Sequence, residues 1–226
     1  MRTALILSAA LSLLLLGAAD LLAASPEAIR RNNFGADLVK QGKLEDALKD
    51  FQRAVEIDPD YAAAQLNLAY TYDRLGRADE AMAAYQKAIA LEPGNGYAHN
   101  NLGTIYDKKS RYAEAVEAYA KALAVDPANA TFQKNLENAK RSKATIEERD
   151  AQFAAAHKQV EARPRDPEAA YDLGRLYAAY ARADQAIEWL TKAVELGYND
   201  LRGMRDDPAL AGLRNDPRFI ALTQKQ

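Results

Sequence analysis

Residues 62–95 read AAAQLNLAYTYDRLGRADEAMAAYQKAIALEPGN, and residues 96–129 follow at once with GYAHNNLGTIYDKKSRYAEAVEAYAKALAVDPAN. Set in register at a 34-residue offset, the two stretches agree at Leu68/Leu102, Ala69/Gly103, Tyr72/Tyr106, Ala81/Ala115, Tyr85/Tyr119, Ala88/Ala122 and Pro93/Pro127. Within each, apolar residues recur three and four apart in two runs, which predicts a pair of amphipathic helices. Gly76-Arg77 and Ser110-Arg111 fall between the runs and mark the turn. The alanines and Gly103 let two helices approach closely, and the tyrosines fill the space between neighbours. Each proline ends a second helix, because it lacks the N–H and restricts the residue before it. One such pair cannot bury its apolar face alone, so the units must stack.

This spacing of leucine, small residue, aromatic, small residue, bulky residue, small residue and closing proline resembles the tetratricopeptide repeat. The resemblance implies an all-α fold, a right-handed α-solenoid of stacked helix-turn-helix repeats. An earlier copy occupies 28–61, with Phe34-Gly35, Leu38, Ala47, Phe51, Ala54 and Pro59 in register. Ser25-Pro26-Glu27 before it places an N-cap residue and a proline at the first helical position. A fifth copy spans 167–200, carried by Leu173-Gly174, Tyr177, Ala186, Leu190 and Ala193.

Residues 130–163 keep Leu136, Phe153 and Ala156 but lose the small residue and first aromatic. Thr145-Ile-Glu-Glu148 has the form of a capping box, which favours a degenerate repeat with its turn near Arg141–Ala144. The competing reading is one long helix, with Ala139, Ile146, Phe153 and Val160 seven apart. Residues 201–226 differ from the repeats and resemble the end-of-group segment of bacterial arrays, through Asp207-Pro208, Leu213-Arg214 and Asp216-Pro217-Arg218-Phe219. Each Asp-Pro pair is an N-cap and first-turn signal. Leu210, Leu213, Phe219 and Leu222 would cover the last apolar face, giving a C-terminal helical cap.

At the other end, Arg2 precedes an apolar run from Ala4 to Ala19, and small residues follow it. Residues 1–24 are therefore expected to be a secretory signal, cut after Ala19 or after Ala24. The alternative is an uncleaved anchor, since residues 4–24 are just long enough to span a bilayer; Asp20 counts against it. The expected location is periplasmic for a Gram-negative host, with membrane contact only through residues 1–24 if they are retained.

The chain of 226 residues has no cysteine, which excludes disulfides, thiolate metal sites and cysteine catalysis. Its net charge of -2 gives no general attraction to nucleic acid. His99 and His157 lie in different repeats without metal-ligand spacing or a nearby nucleophile, and His99 stands where this family carries a semi-buried aromatic. There is no glycine-rich phosphate loop, HExxH or GxSxG. No cofactor, metal, small-molecule substrate or catalytic residue is expected.

One periodic feature points past packing. Asn33, Asn67, Asn101 and Asn135 stand 34 residues apart, each directly before the leucine position. The resemblance implies that this position faces the concave groove. The array is similar to the asparagine ladder of O-GlcNAc transferase and of kinesin light chains, whose amides grip the backbone of an extended peptide. One carboxamide offers both a donor and an acceptor, which suits a peptide unit of any side chain. Four such contacts give roughly 2–6 kcal/mol, against about 2–5 kcal/mol to order the peptide, so groove neighbours must add specificity. Those neighbours are Tyr70, Asp73, Tyr97, Thr104 and Asp107. The fifth repeat has Asp172 instead, and the ladder ends there. The dicarboxylate clamp of chaperone cofactors would fall on Asn32, Ala36, Asn67, Tyr97 and Asn101, where the basic residues are missing. The expected role is thus a non-catalytic protein-interaction module holding a peptide segment of a cell-envelope protein. The alternative is a spacer or assembly subunit of an envelope complex, working through its convex face or ends.

Overall fold

The computed structural model describes residues 24–224, and the expected signal or anchor over 1–24 lies outside them except for Ala24. Among the described residues there is no strand, and no helix is long and apolar enough to cross a membrane. The chain divides after Lys143 into two compact units.

The first unit holds three helix pairs: α1 (Pro26–Lys40) with α2 (Leu44–Ile57), α3 (Ala62–Arg74) with α4 (Ala78–Leu91), and α5 (Gly96–Lys108) with α6 (Tyr112–Val125). It also holds the start of α7 (Ala130–Ala162). Small residues set the closeness of each pair. A Cβ on Gly35 would lie 2.8 Å from the Phe51 ring, and one on Gly103 would lie 2.8 Å from the Tyr119 ring. Ala47, Ala81 and Ala115 are fully buried, and Phe51, Tyr85 and Tyr119 fill the interior.

The turns repeat as faithfully as the core. Gly42, Gly76 and Ser110, each 34 residues apart, take φ of 77°, 75° and 58°. That left-handed residue lets the next N–H reach back into the helix. Lys43 N–H donates to Leu38 O at 3.0 Å, Arg77 N–H to Tyr72 O at 2.9 Å, and Arg111 N–H to Tyr106 O at 2.9 Å. The guanidinium groups of Arg77 and Arg111 then lie 4.7 and 4.6 Å from the ring centres of Tyr72 and Tyr106. Pro26 opens α1 as the sequence predicts, but the Ser25 side chain makes no capping bond. Instead, the Ser25 N–H donates to Asp58 at 2.9 Å.

Residues 130–163 depart from the favoured reading. They form a single helix from Ala130 to Ala162, without the turn expected at 141–144. The physical reason stands at the two positions that other repeats keep small. Gly35, Ala69, Gly103 and Gly174 correspond here to Glu137, and Ala47, Ala81, Ala115 and Ala186 to Arg149. Closing a hairpin would press two charged side chains into the helix contact, with a large desolvation cost. The helix therefore runs through, and the Thr145 capping signal goes unused.

In the second unit, the later part of α7 packs with α8 (Pro167–Ala179) and α9 (Ala183–Glu195). Gly174 meets Leu190 as Gly103 meets Tyr119, and Ala181 makes the turn at φ 55°. His157 Nε2 is 2.9 Å from the Tyr177 hydroxyl, so that imidazole is held within the packing. Beyond α9 come α10 (Leu201–Asp206), a 3-10 helix (Pro208–Leu213) and α11 (Pro217–Thr223). Asp207 and Asp216 accept from the N–H groups of Ala209 and Arg218 at 2.8 and 2.9 Å, as Asp-Pro caps should. Met204, Leu210, Leu213, Phe219 and Leu222 from this segment are buried in the core of the unit.

Candidate functional site

The first helices of consecutive repeats, α1, α3 and α5, adjoin one another, and the start of α7 follows them. Asn33, Asn67, Asn101 and Asn135 stand on these helices one residue before the buried Phe34/Leu68/Leu102/Leu136 register, although Phe34 itself is 56% exposed. Asn33 is exposed, and the other three are half-buried.

Each half-buried ladder amide donates one bond inside the protein. Asn67 Nδ2 donates to Asn32 Oδ1 at 2.8 Å, and Asn135 Nδ2 donates to Asn100 Oδ1 at 2.9 Å. Both partners lie 35 residues back, on the preceding repeat. The same position ahead of Asn101 is Leu66, which offers no acceptor. Asn101 Nδ2 donates instead to the Tyr85 hydroxyl at 3.2 Å, while its Oδ1 accepts from Asn100 Nδ2 at 3.3 Å. Asn32 and Asn100 are buried. Burial raises the Tyr85 phenol well above its usual range, with Asn101 opposing, so the hydroxyl stays protonated and the bond persists through neutral pH. A carboxamide has two N–H donors and two acceptor lone pairs, so each ladder residue keeps capacity for a ligand after its internal bond.

The nominated neighbours divide into engaged and open groups. Arg74 donates to the Tyr70 hydroxyl at 2.8 Å, and Lys108 pairs with Asp73 at 3.1 Å across two repeats. Thr104 donates to Asn100 O at 3.1 Å and accepts from the Tyr119 hydroxyl at 3.2 Å. Tyr97 is 66% exposed, with its ring in edge contact with Phe132 at 5.4 Å. Together with Val125 and the Gly94–Gly96 turn, these rings line a cavity of about 260 Å³. Asp107 is half-buried and stands on the same helix as Asn101 and Thr104.

Sequence reasoning missed the internal acceptors of the ladder, Asn32, Asn100 and Tyr85. It also missed a repeated fastening on the same helices. Gln65 Nε2 is 3.1 Å from Pro59 O, His99 Nε2 is 3.0 Å from Pro93 O, and Gln133 Nε2 is 2.9 Å from Pro127 O. The signal was present, since 65, 99 and 133 are 34 apart and all carry a side-chain N–H. A second cavity of about 260 Å³ lies over α5 between α4 and α6, lined by His99, Leu102 and Tyr106 and away from the ladder. No group of side chains suited to a metal ion occurs among the described residues. In the last repeat, Asp172 is exposed beside Arg175, and Tyr171 and Arg175 are engaged by Asp207.

Models of the tetratricopeptide repeat match residues 32–96, 96–129 and 167–197, together more than half of the chain. The chain belongs to the tetratricopeptide-repeat family. The long helix α7 lies between the matched stretches, as its charged packing positions require. Among solved structures, the first tetratricopeptide-repeat domain of Spaghetti (RPAP3), bound to the HSP90 peptide SRMEEVD, aligns at 24% identity. That alignment covers 53% of this chain and 95% of that one, with a TM-score of 0.52. MamA 41-end from Desulfovibrio magneticus RS-1 aligns at 21% identity over 77% of this chain and 97% of that one, with a TM-score of 0.51. The first such domain of human RPAP3 gives 24% identity over 54% and 96%, with a TM-score of 0.51. These likenesses establish the helical repeat fold. A search of curated proteins found no match.

Proposed function

We propose that this tetratricopeptide-repeat protein is a non-catalytic interaction module that holds an extended segment of a partner protein against α1, α3, α5 and the start of α7. The observation that carries this reading is the ladder itself. Asn67, Asn101 and Asn135 are fixed by internal bonds, yet each retains a donor and an acceptor for a ligand's backbone. Fixing them beforehand lowers the ordering cost of binding. Asn33, Tyr70, Tyr97, Thr104, Asp73 and Asp107 supply the surrounding contacts. The RPAP3 domain, a fold neighbour, was solved with a peptide bound, which is a precedent for this fold holding a peptide.

Residues 201–226 act in this reading as the C-terminal cap of the array, and residues 1–24 as the export signal or anchor that sends the protein to the cell envelope. The partner is then an envelope protein. The test is capture of partners from an envelope extract by the wild-type protein and by Asn33/Asn67/Asn101→Ala, with equal helicity confirmed first. A protein retained by the first and lost by the second supports the groove. Equal capture moves the interaction to another surface and leaves the spacer or assembly role as the better account.

A further inference from the structure

The two central repeats carry an aspartate at the same register position, Asp73 and Asp107, near the end of the first helix. Asp73 is met by Lys108 from the next repeat at 3.1 Å. One repeat further on, the residue that would meet Asp107 is Ser142, which carries no charge. Among the described residues no hydrogen bond or ion pair reaches the Asp107 carboxylate, although it is half-buried. The cations of these two helices are already engaged: Arg74 rests on Tyr70, and Lys108 on Asp73. Asp107 also acts on the ladder's surroundings, adding to the burial that raises the Tyr119 phenol.

We propose that Asp107 is a cation-accepting subsite of the groove, so that the bound segment presents a lysine or arginine to it. This rests on the groove reading above. Covering this half-buried carboxylate with an uncharged or acidic segment would desolvate it further without a counter-charge, at a cost in free energy. A basic side chain removes that cost and forms the charge-assisted bond that Lys108 forms with Asp73. The partner is therefore a basic, extended protein segment, with its cation placed one helix-face away from the Asn101 amide.

A phage-displayed random dodecapeptide library, selected on the purified wild-type protein and counter-selected on Asn33/Asn67/Asn101→Ala, tests both levels. The expected result is ladder-dependent peptides enriched for Lys or Arg at one position. Replacing that residue with norleucine in a synthetic peptide should weaken binding by about fivefold, and Asp107→Asn should erase the difference. Asp107→Lys should select acidic residues at the same position. Ladder-dependent peptides with no basic enrichment overturn the Asp107 subsite and leave the groove standing. A selection that yields no ladder-dependent peptide overturns both. Asp107→Asn is isosteric and replaces a side chain without partners, and circular dichroism confirms that it folds.

Discussion

His99 holds its Nε2 3.0 Å from the carbonyl oxygen of Pro93, six residues earlier and across a repeat boundary. A carbonyl only accepts, so Nε2 carries the proton, and the imidazole does what the Gln65 and Gln133 amides do at Pro59 and Pro127. The closing proline has no N–H to offer, but its carbonyl fastens the next repeat. His99→Gln should therefore be nearly neutral in chemical denaturation. His99→Ala should cost about 1–2 kcal/mol, for the lost bond and the orphaned carbonyl.

The asparagine pairs can be separated into stacking and binding parts. A double-mutant cycle on Asn32 and Asn67 should return a coupling of about 0.5–1.5 kcal/mol in stability. Asn32 is buried and Asn67 is not. Peptide affinity should accordingly fall further for Asn67→Ala than for Asn32→Ala, and equal losses would assign the whole ladder to stacking.

Gly103→Ala should destabilise by about 1–3 kcal/mol, because its Cβ would lie 2.8 Å from the Tyr119 ring. Thermal unfolding of the variant reads the effect directly. Trimming the ring in Gly103→Ala/Tyr119→Leu should recover part of the loss.

Ser110 and Ala181 occupy the left-handed turn position that Gly42 and Gly76 fill elsewhere, with φ of 58° and 55°. Replacing either by glycine relieves backbone strain that a Cβ imposes there, although glycine also gains freedom in the unfolded chain. A net gain of about 0.5–1 kcal/mol is expected, measured as a shift of the denaturation midpoint at constant slope.

Asp207 caps the 3-10 helix, accepts the Tyr171 hydroxyl at 2.8 Å and pairs with Arg175. Burial alone would raise its carboxyl, but the Ala209 N–H, Tyr171 and Arg175 outweigh that and hold it below the ordinary value. A folded-state value below the unfolded one stabilises above the unfolded carboxylate range and is lost as pH falls through the folded value. Wild type should therefore lose stability on acidification below about pH 4 more steeply than Asp207→Asn. Parallel acid profiles would remove Asp207 from the account.

The repeat register was legible in the sequence because close helix contact admits only small residues, and Gly35, Ala69, Gly103, Ala47, Ala81 and Ala115 announce it. The same logic, applied to Glu137 and Arg149, would have identified the long helix α7. Thr145 carries a local capping pattern, but the charge at two packing positions outweighs it. The ladder spacing was legible too, but its internal bonds were not. They depend on which way a residue 35 positions back turns its amide, and adjacent residues on one helix point to different neighbours.

The joints between repeats are also unequal. An amide pair closes the first junction and the third, whereas Leu66 leaves the second without one, and there the Tyr85 hydroxyl, the His99–Pro93 contact and the pairs Lys108–Asp73 and Lys109–Asp79 serve instead. Those lysines reach through solvent that salt screens, while the buried asparagines do not. The second joint thus carries a salt-dependent part in its polar fastening. Raising ionic strength should loosen those two ion pairs, while the buried Leu102 and Ile105 keep the joint packed.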